Sequence, residues 1–237
     1  MTAGKRANAD NVPMRSEIRR ALSEGWPIFL TDILVGVAFG IAARSSGLTA
    51  LEASAMSVLI FAGAAQFAAV ELVAGGAAPL LVVGSVLLIN LRHLLMGASL
   101  RPYLGERPLG VRLLAAYLLT DESFALGVTR YRRGGRGIAY YFTFATGLWV
   151  CWNAGTLLGA TVISGAIDPQ RLGLDFTITA TFVTIVALGI RDRADIAVAL
   201  VAAFAAGALR LAGASTFAVV AAGALAPLVA VAWRRDR

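Results

Sequence analysis

What most constrains this chain is the recurrence of long apolar runs, at about 26–43, 54–74, 78–97, 109–129, 138–160, 172–190, 194–211 and 214–233. About 20 apolar residues make an α-helix long enough to cross the hydrocarbon core of a bilayer. In a chain of 237 residues, runs at this density leave only tails and short loops between them. There is no room for a separate soluble domain. The expectation is an all-α, polytopic transmembrane bundle of about eight spans. The fourth run is the weakest, because it carries Arg112, Asp121 and Glu122, and the last two are parted by little more than Gly213. Seven spans is therefore the alternative. The domain reading is a polar N-terminal tail at 1–25, one transmembrane domain at 26–233 and a basic tail at 234–237. Asp32 inside the first run breaks the h-region of a signal peptide, so that run reads as a retained span.

Composition excludes the main rivals. The chain is 58% hydrophobic and 15% charged, against about 45–50% and about 25% for soluble domains. A cytosolic enzyme is ruled out on those figures. The net charge of +7 would suggest nucleic acid in a soluble chain. Here the basic residues fall between apolar runs, where they set membrane orientation, and no nucleic-acid partner is expected. With eight spans and the N-terminus inside, 14 of the 21 Lys and Arg lie on inner segments. The sharpest inner marker is the loop RYRRGGRG at 130–137. Both termini are thus expected in the cytoplasm. Cys151 is the only cysteine and His93 the only histidine, so neither an intrachain disulfide nor a Cys/His zinc site is expected.

Ionisable and amide groups inside apolar runs carry the functional signal. Such a group costs about 2.5–3.5 kcal/mol at the bilayer centre on insertion scales, so it normally faces the bundle interior, a partner or a water path. The set is Asp32, Gln66, Asn90, Arg92, His93, Asp121, Glu122 and Asp175, with Glu71 and Asn153 beside it. Asn90, His93 and Gly97 share one helical face, and His93 suits a proton relay or a hydrogen-bonded interfacial site. Arg92 points away from that face, which favours snorkelling towards headgroups. Asp121 and Glu122 diverge by about 100° on a helix and should not both face one narrow pocket. One would line the pathway while the other caps a helix or pairs with an arginine such as Arg92. A break at this point would instead present a half-helix terminus. Gln66, in FAGAAQFAA, either binds substrate or joins two helices. Asp32 reads as a cation or proton site, and Asp175 as a pathway residue or a helix N-terminal charge. Asn153 reads as structural.

A weak internal echo accompanies these residues. Gly36 and Gly40 form one small-xxx-small pair and Gly155 and Gly159 another, as in a repeat-built transporter or wherever helices pack closely in lipid. Nucleophile elbows, HExxH, P-loops and dinucleotide fingerprints are absent. No catalytic constellation or cofactor is expected.

Four stretches taken together, FAGAAQFAAVEL (61–72), INLRHLLMGASL (89–100), AYLLTDESFAL (116–126) and GLDFTITATF (173–182), resemble the AzlC family in order, spacing and residue choice. The most specific part is Asn90, Arg92 and His93 preceding Thr120, Asp121 and Glu122. That family comprises the large subunits of bacterial branched-chain amino-acid exporters. The resemblance implies a permease of the bacterial inner membrane that pairs with a small hydrophobic AzlD-type subunit. It also implies export of valine, leucine, isoleucine or related apolar amino acids, driven by protons. Glu71 departs from the small or apolar residue expected there, and the basic N-terminal tail is longer than the motif region requires. Rival readings are a transporter of another small solute, a scaffold or regulatory subunit, and a membrane-embedded enzyme using His93 with Asp121 or Glu122. The scaffold gains nothing from intramembrane charge, and the enzyme lacks a nucleophile or metal set.

Overall fold

The computed structural model describes residues 13–104, 107–132, 135, 137–163 and 193–211. The runs at 172–190 and 214–233, with Asp175, lie outside them. Among the described residues the chain is all-α: helices joined by tight turns, without a strand.

Helix α1, Met14–Ser45, holds 32 residues and starts ahead of its apolar run. Residues 14–25 of the polar segment are therefore helical, and Glu17 and Ala21 within them are buried. α1 packs along α8, Ile138–Leu158, which continues into a π-helical turn at Gly159–Ile163. Glycines on both helices make this contact. A Cβ on Gly36 would stand 2.7 Å from the carbonyl oxygen of Trp152, and one on Gly40 would collide with that of Thr156. Gly155 and Gly159 meet the backbone of Ile33 and Val37 in the same way. The two small-xxx-small pairs of the sequence are thus the two faces of one helix crossing, in which backbones touch directly.

The second apolar run is two helices, α2 (Ala50–Ile60) and α3 (Gly63–Ala74), with Phe61 left-handed at φ 40° between them. In one continuous direction Ser57 and Gln66 would stand about 13 Å apart along the axis. Instead Gln66 Nε2 donates to Ser57 Oγ at 3.0 Å. α3 therefore folds back beside α2. Met56 and Ile60 share a groove with Ala69, Val70 and Val73 for the same reason.

The fourth run behaves alike. α4 (Pro79–Asn90) and α5 (Arg92–Leu104) form one apolar rod of 26 residues with a joint at Leu91. α6 spans Leu109–Tyr117 and α7 spans Asp121–Arg132. Arg92 pairs with Asp121 at the start of α5 and α7, and the rings of Tyr103 and Tyr131 stack 4.6 Å apart at their ends. α5 and α7 are therefore parallel. α6 follows α5 through a turn closed by Arg107 N–H on the Leu104 carbonyl, so it runs back towards the start of α7. The runs at 54–74 and 109–129 are helical hairpins, not single straight helices. Hydropathy counts apolar residues and is blind to reversal of the chain.

The hairpins enter from opposite ends of α1. Hairpin α2–α3 hangs from its C-terminal end; hairpin α6–α7 hangs from its N-terminal end, where Arg130 Nη2 donates to Glu17 Oε1 at 3.1 Å. Arg101, Arg107 and Arg112 lie at the end that carries Arg15, Arg19, Arg20, Arg130 and Arg132. The opposite end of α1 carries Arg44. Outward faces are apolar: Leu34, Leu80, Leu94 and Leu95 are all more than half exposed. Such a surface suits hydrocarbon. α9, Arg193–Leu211, is a further apolar helix with Leu200 and Phe204 exposed.

Candidate functional site

The two hairpin tips meet beside the middle of α1 and enclose a cavity of about 490 Å³. Irregular backbone at that depth requires internal partners, because hydrocarbon offers none. Side chains supply them. At the first tip Gln66 Oε1 accepts from the Ala62 N–H at 3.1 Å, and the Tyr117 hydroxyl donates to the Val58 carbonyl. At the second tip Thr120 and Ser123 cap each other: Ser123 Oγ accepts from the Thr120 N–H at 2.8 Å, and Thr120 Oγ1 from the Ser123 N–H at 3.2 Å. The Tyr141 hydroxyl donates to the Ala115 carbonyl at 2.8 Å.

Each tip aims a half-helix N-terminus at the cavity. Ala62, Gly63 and Ala64 line it at the start of α3, where Ala62 has no capping oxygen of its own and Gln66 takes only the Ala62 N–H. The partial positive charge of that terminus is available to an anionic group. At the start of α7 the lining residues are Thr120, Asp121 and Glu122.

The cavity gathers five of the eight residues singled out from sequence: Asp32, Arg92, His93, Asp121 and Glu122. Arg92 does not snorkel. The joint at Leu91 interrupts the helical period, so Arg92 and His93 both face the cavity, and Arg92 Nη1 donates to Asp121 Oδ2 at 2.5 Å. Asp121 and Glu122 share the cavity despite their divergence, because they stand end-on at a helix start rather than along its side. His93 Nδ1 lies 3.2 Å from the Asn90 carbonyl oxygen. A carbonyl only accepts, so Nδ1 carries a proton in this contact. Asn90 contributes this carbonyl, and its side chain is not part of the lining. Among the described residues Asp32 Oδ2 has no hydrogen-bond partner.

Gln66 stands outside the cavity. It is fully buried, with both ends of its amide bonded within the protein, so it joins the halves of its own hairpin. Gln66→Leu leaves the Ala62 N–H unpaired in an apolar setting. The expected cost is about 1–3 kcal/mol, read as a lower Tm in detergent. Glu71 is exposed on the last turn of α3, and Asn153 Nδ2 donates to the Trp149 carbonyl at 2.8 Å.

Sequence patterns did not single out Trp152, Phe67 or Phe61, which also line the cavity. Aromatic residues in apolar runs carry no signal of which face they occupy. Thr120, already part of the family motif, also lines the cavity, and with Ser123 three residues later it carried a helix-start signal.

A family model described as AzlC protein matches residues 27–165. This range covers both hairpins, the joint at Leu91 and the glycine crossing. "Inner membrane protein YgaZ" of Escherichia coli (strain K12) is 28% identical over 94% of this chain and 94% of its own length. "Branched-chain amino acid transport protein AzlC" of Bacillus subtilis (strain 168) is 31% identical over 72% of this chain and 68% of its own length. An "Uncharacterized membrane protein" of Archaeoglobus fulgidus is 29% identical over 74% of this chain and 77% of its own. No solved structure matches. With more than half of its length matched by the family model, and with membrane and transport proteins as its relatives, the chain is a membrane protein of the AzlC family.

Proposed function

We propose that this chain is the large subunit of a two-component permease that exports branched-chain or other apolar amino acids across the bacterial inner membrane, coupled to protons. The observation that carries the reading is the convergence of two opposed hairpin tips and a mid-helix aspartate on one cavity. Discontinuous helices with their termini at a central site are a recurring device of secondary transporters. The end rich in arginine is cytoplasmic by the positive-inside rule, which puts the N-terminus inside. Chain passage is multi-pass, and the C-terminal tail is cytoplasmic.

An apolar amino acid fits the chemistry of the lining. Its carboxylate meets Arg92 or the start of α3. Its ammonium meets Asp32, because Asp121 is already engaged by Arg92. Its side chain meets Val35, Phe67, Leu148 and Trp152. The coupling proton is carried by His93 Nε2, which is unengaged by the Asn90 carbonyl, or by Glu122. A small AzlD-type hydrophobic subunit completes the permease, as implied by the family resemblance.

The test is valine efflux from cells loaded with a valine dipeptide. Asp32→Asn and His93→Ala are each expected to slow efflux at least about ten-fold, the scale of one lost charge-assisted contact. Wild-type efflux in both variants would remove these residues from the mechanism. Reconstitution in liposomes, with and without the small subunit, tests the two-component assignment.

A further inference from the structure

Trp152 is the best-anchored residue of the cavity wall, and it is held from four directions. Its indole N–H donates to Ser57 Oγ at 3.1 Å. Ser57 also accepts from Gln66 Nε2 at 3.0 Å, and it stands 2.8 Å from Thr156 Oγ1. With two lone pairs taken by N–H groups, the Ser57 hydroxyl donates its own proton to Thr156. Ser57, Gln66 and Thr156 are all fully buried. On its faces and edges the indole stacks on Phe39 at 5.8 Å and meets Phe67 edge-on at 6.5 Å. Its far edge lies against Gly63, where a Cβ would stand 3.0 Å from Cη2.

These contacts link four elements, α1, α2, α3 and α8, and they fix one atom group that borders the cavity. The indole is an apolar wall with no freedom to swing aside. Gly63 is small where the indole edge needs space and where the α3 N-terminus opens to the cavity.

We infer that Trp152 sets the upper size limit of the transported side chain, with Ser57, Gln66 and Gly63 as the residues that position it. The inference rests on the amino-acid transport reading above. A rigid wall of this kind discriminates by volume, and one methylene more or less in an apolar pocket changes selectivity about 10–200-fold.

Two substitutions move the wall in opposite directions. Trp152→Phe shortens it, and Gly63→Ala adds a methyl group at the cavity rim, 3.0 Å from the indole edge, which thickens it. Cells carrying the full chain with its small-subunit partner are loaded with valine, leucine or phenylalanine dipeptides, and efflux ratios are measured. Trp152→Phe is expected to raise the phenylalanine-to-leucine ratio about ten-fold. Gly63→Ala is expected to lower the leucine-to-valine ratio several-fold. Opposite shifts cannot arise from a general loss of folding, which lowers all rates together. Ratios unchanged in both variants, or equal loss of every substrate, overturn the inference. Should Trp152→Phe fail to fold, the direction of the Gly63→Ala shift decides alone. A wild-type chain that exports none of the three overturns the transport reading itself, and the size limit with it.

Discussion

Gly40→Leu is expected to lower the Tm of the detergent-solubilised protein by about 6–12 °C and to deplete the folded form in the membrane. The reason is geometric. A Cβ at this position collides with the Thr156 carbonyl oxygen and stands 2.7 Å from the Ala160 N and 3.0 Å from the Gly159 carbonyl carbon. All three are backbone atoms of α8 and its π-helical turn, so no rotamer change makes room. The helices must move apart, and Gly36, Gly155 and Gly159 lose their contacts together. In lipid that loss is not offset by a hydrophobic force, since tails are as apolar as the helices, and close packing is the main source of association. Overpacking of a tight contact costs about 1–3 kcal/mol, and a leucine against backbone belongs at the upper end. For a chain of this size each kcal/mol is about 2–4 °C of Tm. Gly84→Ala and Gly97→Ala are the controls, because a Cβ at either meets nothing within 4 Å among the described residues. They should change Tm by no more than about 2 °C. An equal drop in the controls would show that glycine itself, and not the crossing, is what the fold requires.

The same crossing shows which parts of the fold were legible. The two glycine pairs stood out in sequence, because small residues four apart expose backbone on one face of a helix. What they pack against was not readable, since a spacing does not name its partner. Apolar runs likewise located helices but not their direction. The 54–74 run contains two half-helices of 11 and 12 residues, whose summed length imitates one span. A sequence signal for reversal was present in both hairpins: Ala62-Gly63-Ala64 in one, and Thr120 three residues ahead of Ser123 in the other. Each starts a helix inside an apolar run.

At the site, residue types were readable and orientations were not. Asp32, His93, Asp121 and Glu122 were singled out by the cost of placing them in lipid, which depends on composition alone. Arg92 was misjudged because a regular helix would turn it away from His93. The joint at Leu91, with Leu94 N–H bonded to the Leu91 carbonyl at 3.0 Å, restarts the helix and brings both inward. Gln66 was ambiguous for the opposite reason. A buried amide bonds whatever polar group is near, and here the nearest were the broken backbone at Ala62 and the Ser57 hydroxyl.

Arg92→Ala is expected to reduce amino-acid efflux at least about 100-fold while lowering Tm by no more than about 4 °C. The two numbers separate because of where the ion pair sits. The side chains of Arg92 and Asp121 are 40% and 51% exposed, and pairs that open to water contribute about 0–1 kcal/mol to stability. The loss of function has a different origin. Without Arg92 the cavity loses the guanidinium that meets the substrate carboxylate, and Asp121 becomes a third carboxylate without an ion-pair partner, beside Asp32 and Glu122. A zwitterion then meets three carboxyl groups and no guanidinium. Two missing charge-assisted contacts of about 1.5 kcal/mol each amount to about 100-fold. A charge swap, Arg92→Asp with Asp121→Arg, separates pairing from recognition. It rebuilds the ion pair and should return Tm to the wild-type value. Efflux should stay low, because the guanidinium now stands on the tip of the α6–α7 hairpin and the aspartate replaces it on the α4–α5 rod. Full efflux from the swapped pair would mean that the bond between rod and tip is all that transport needs, and would leave the α3 N-terminus as the sole anchor for the substrate carboxylate.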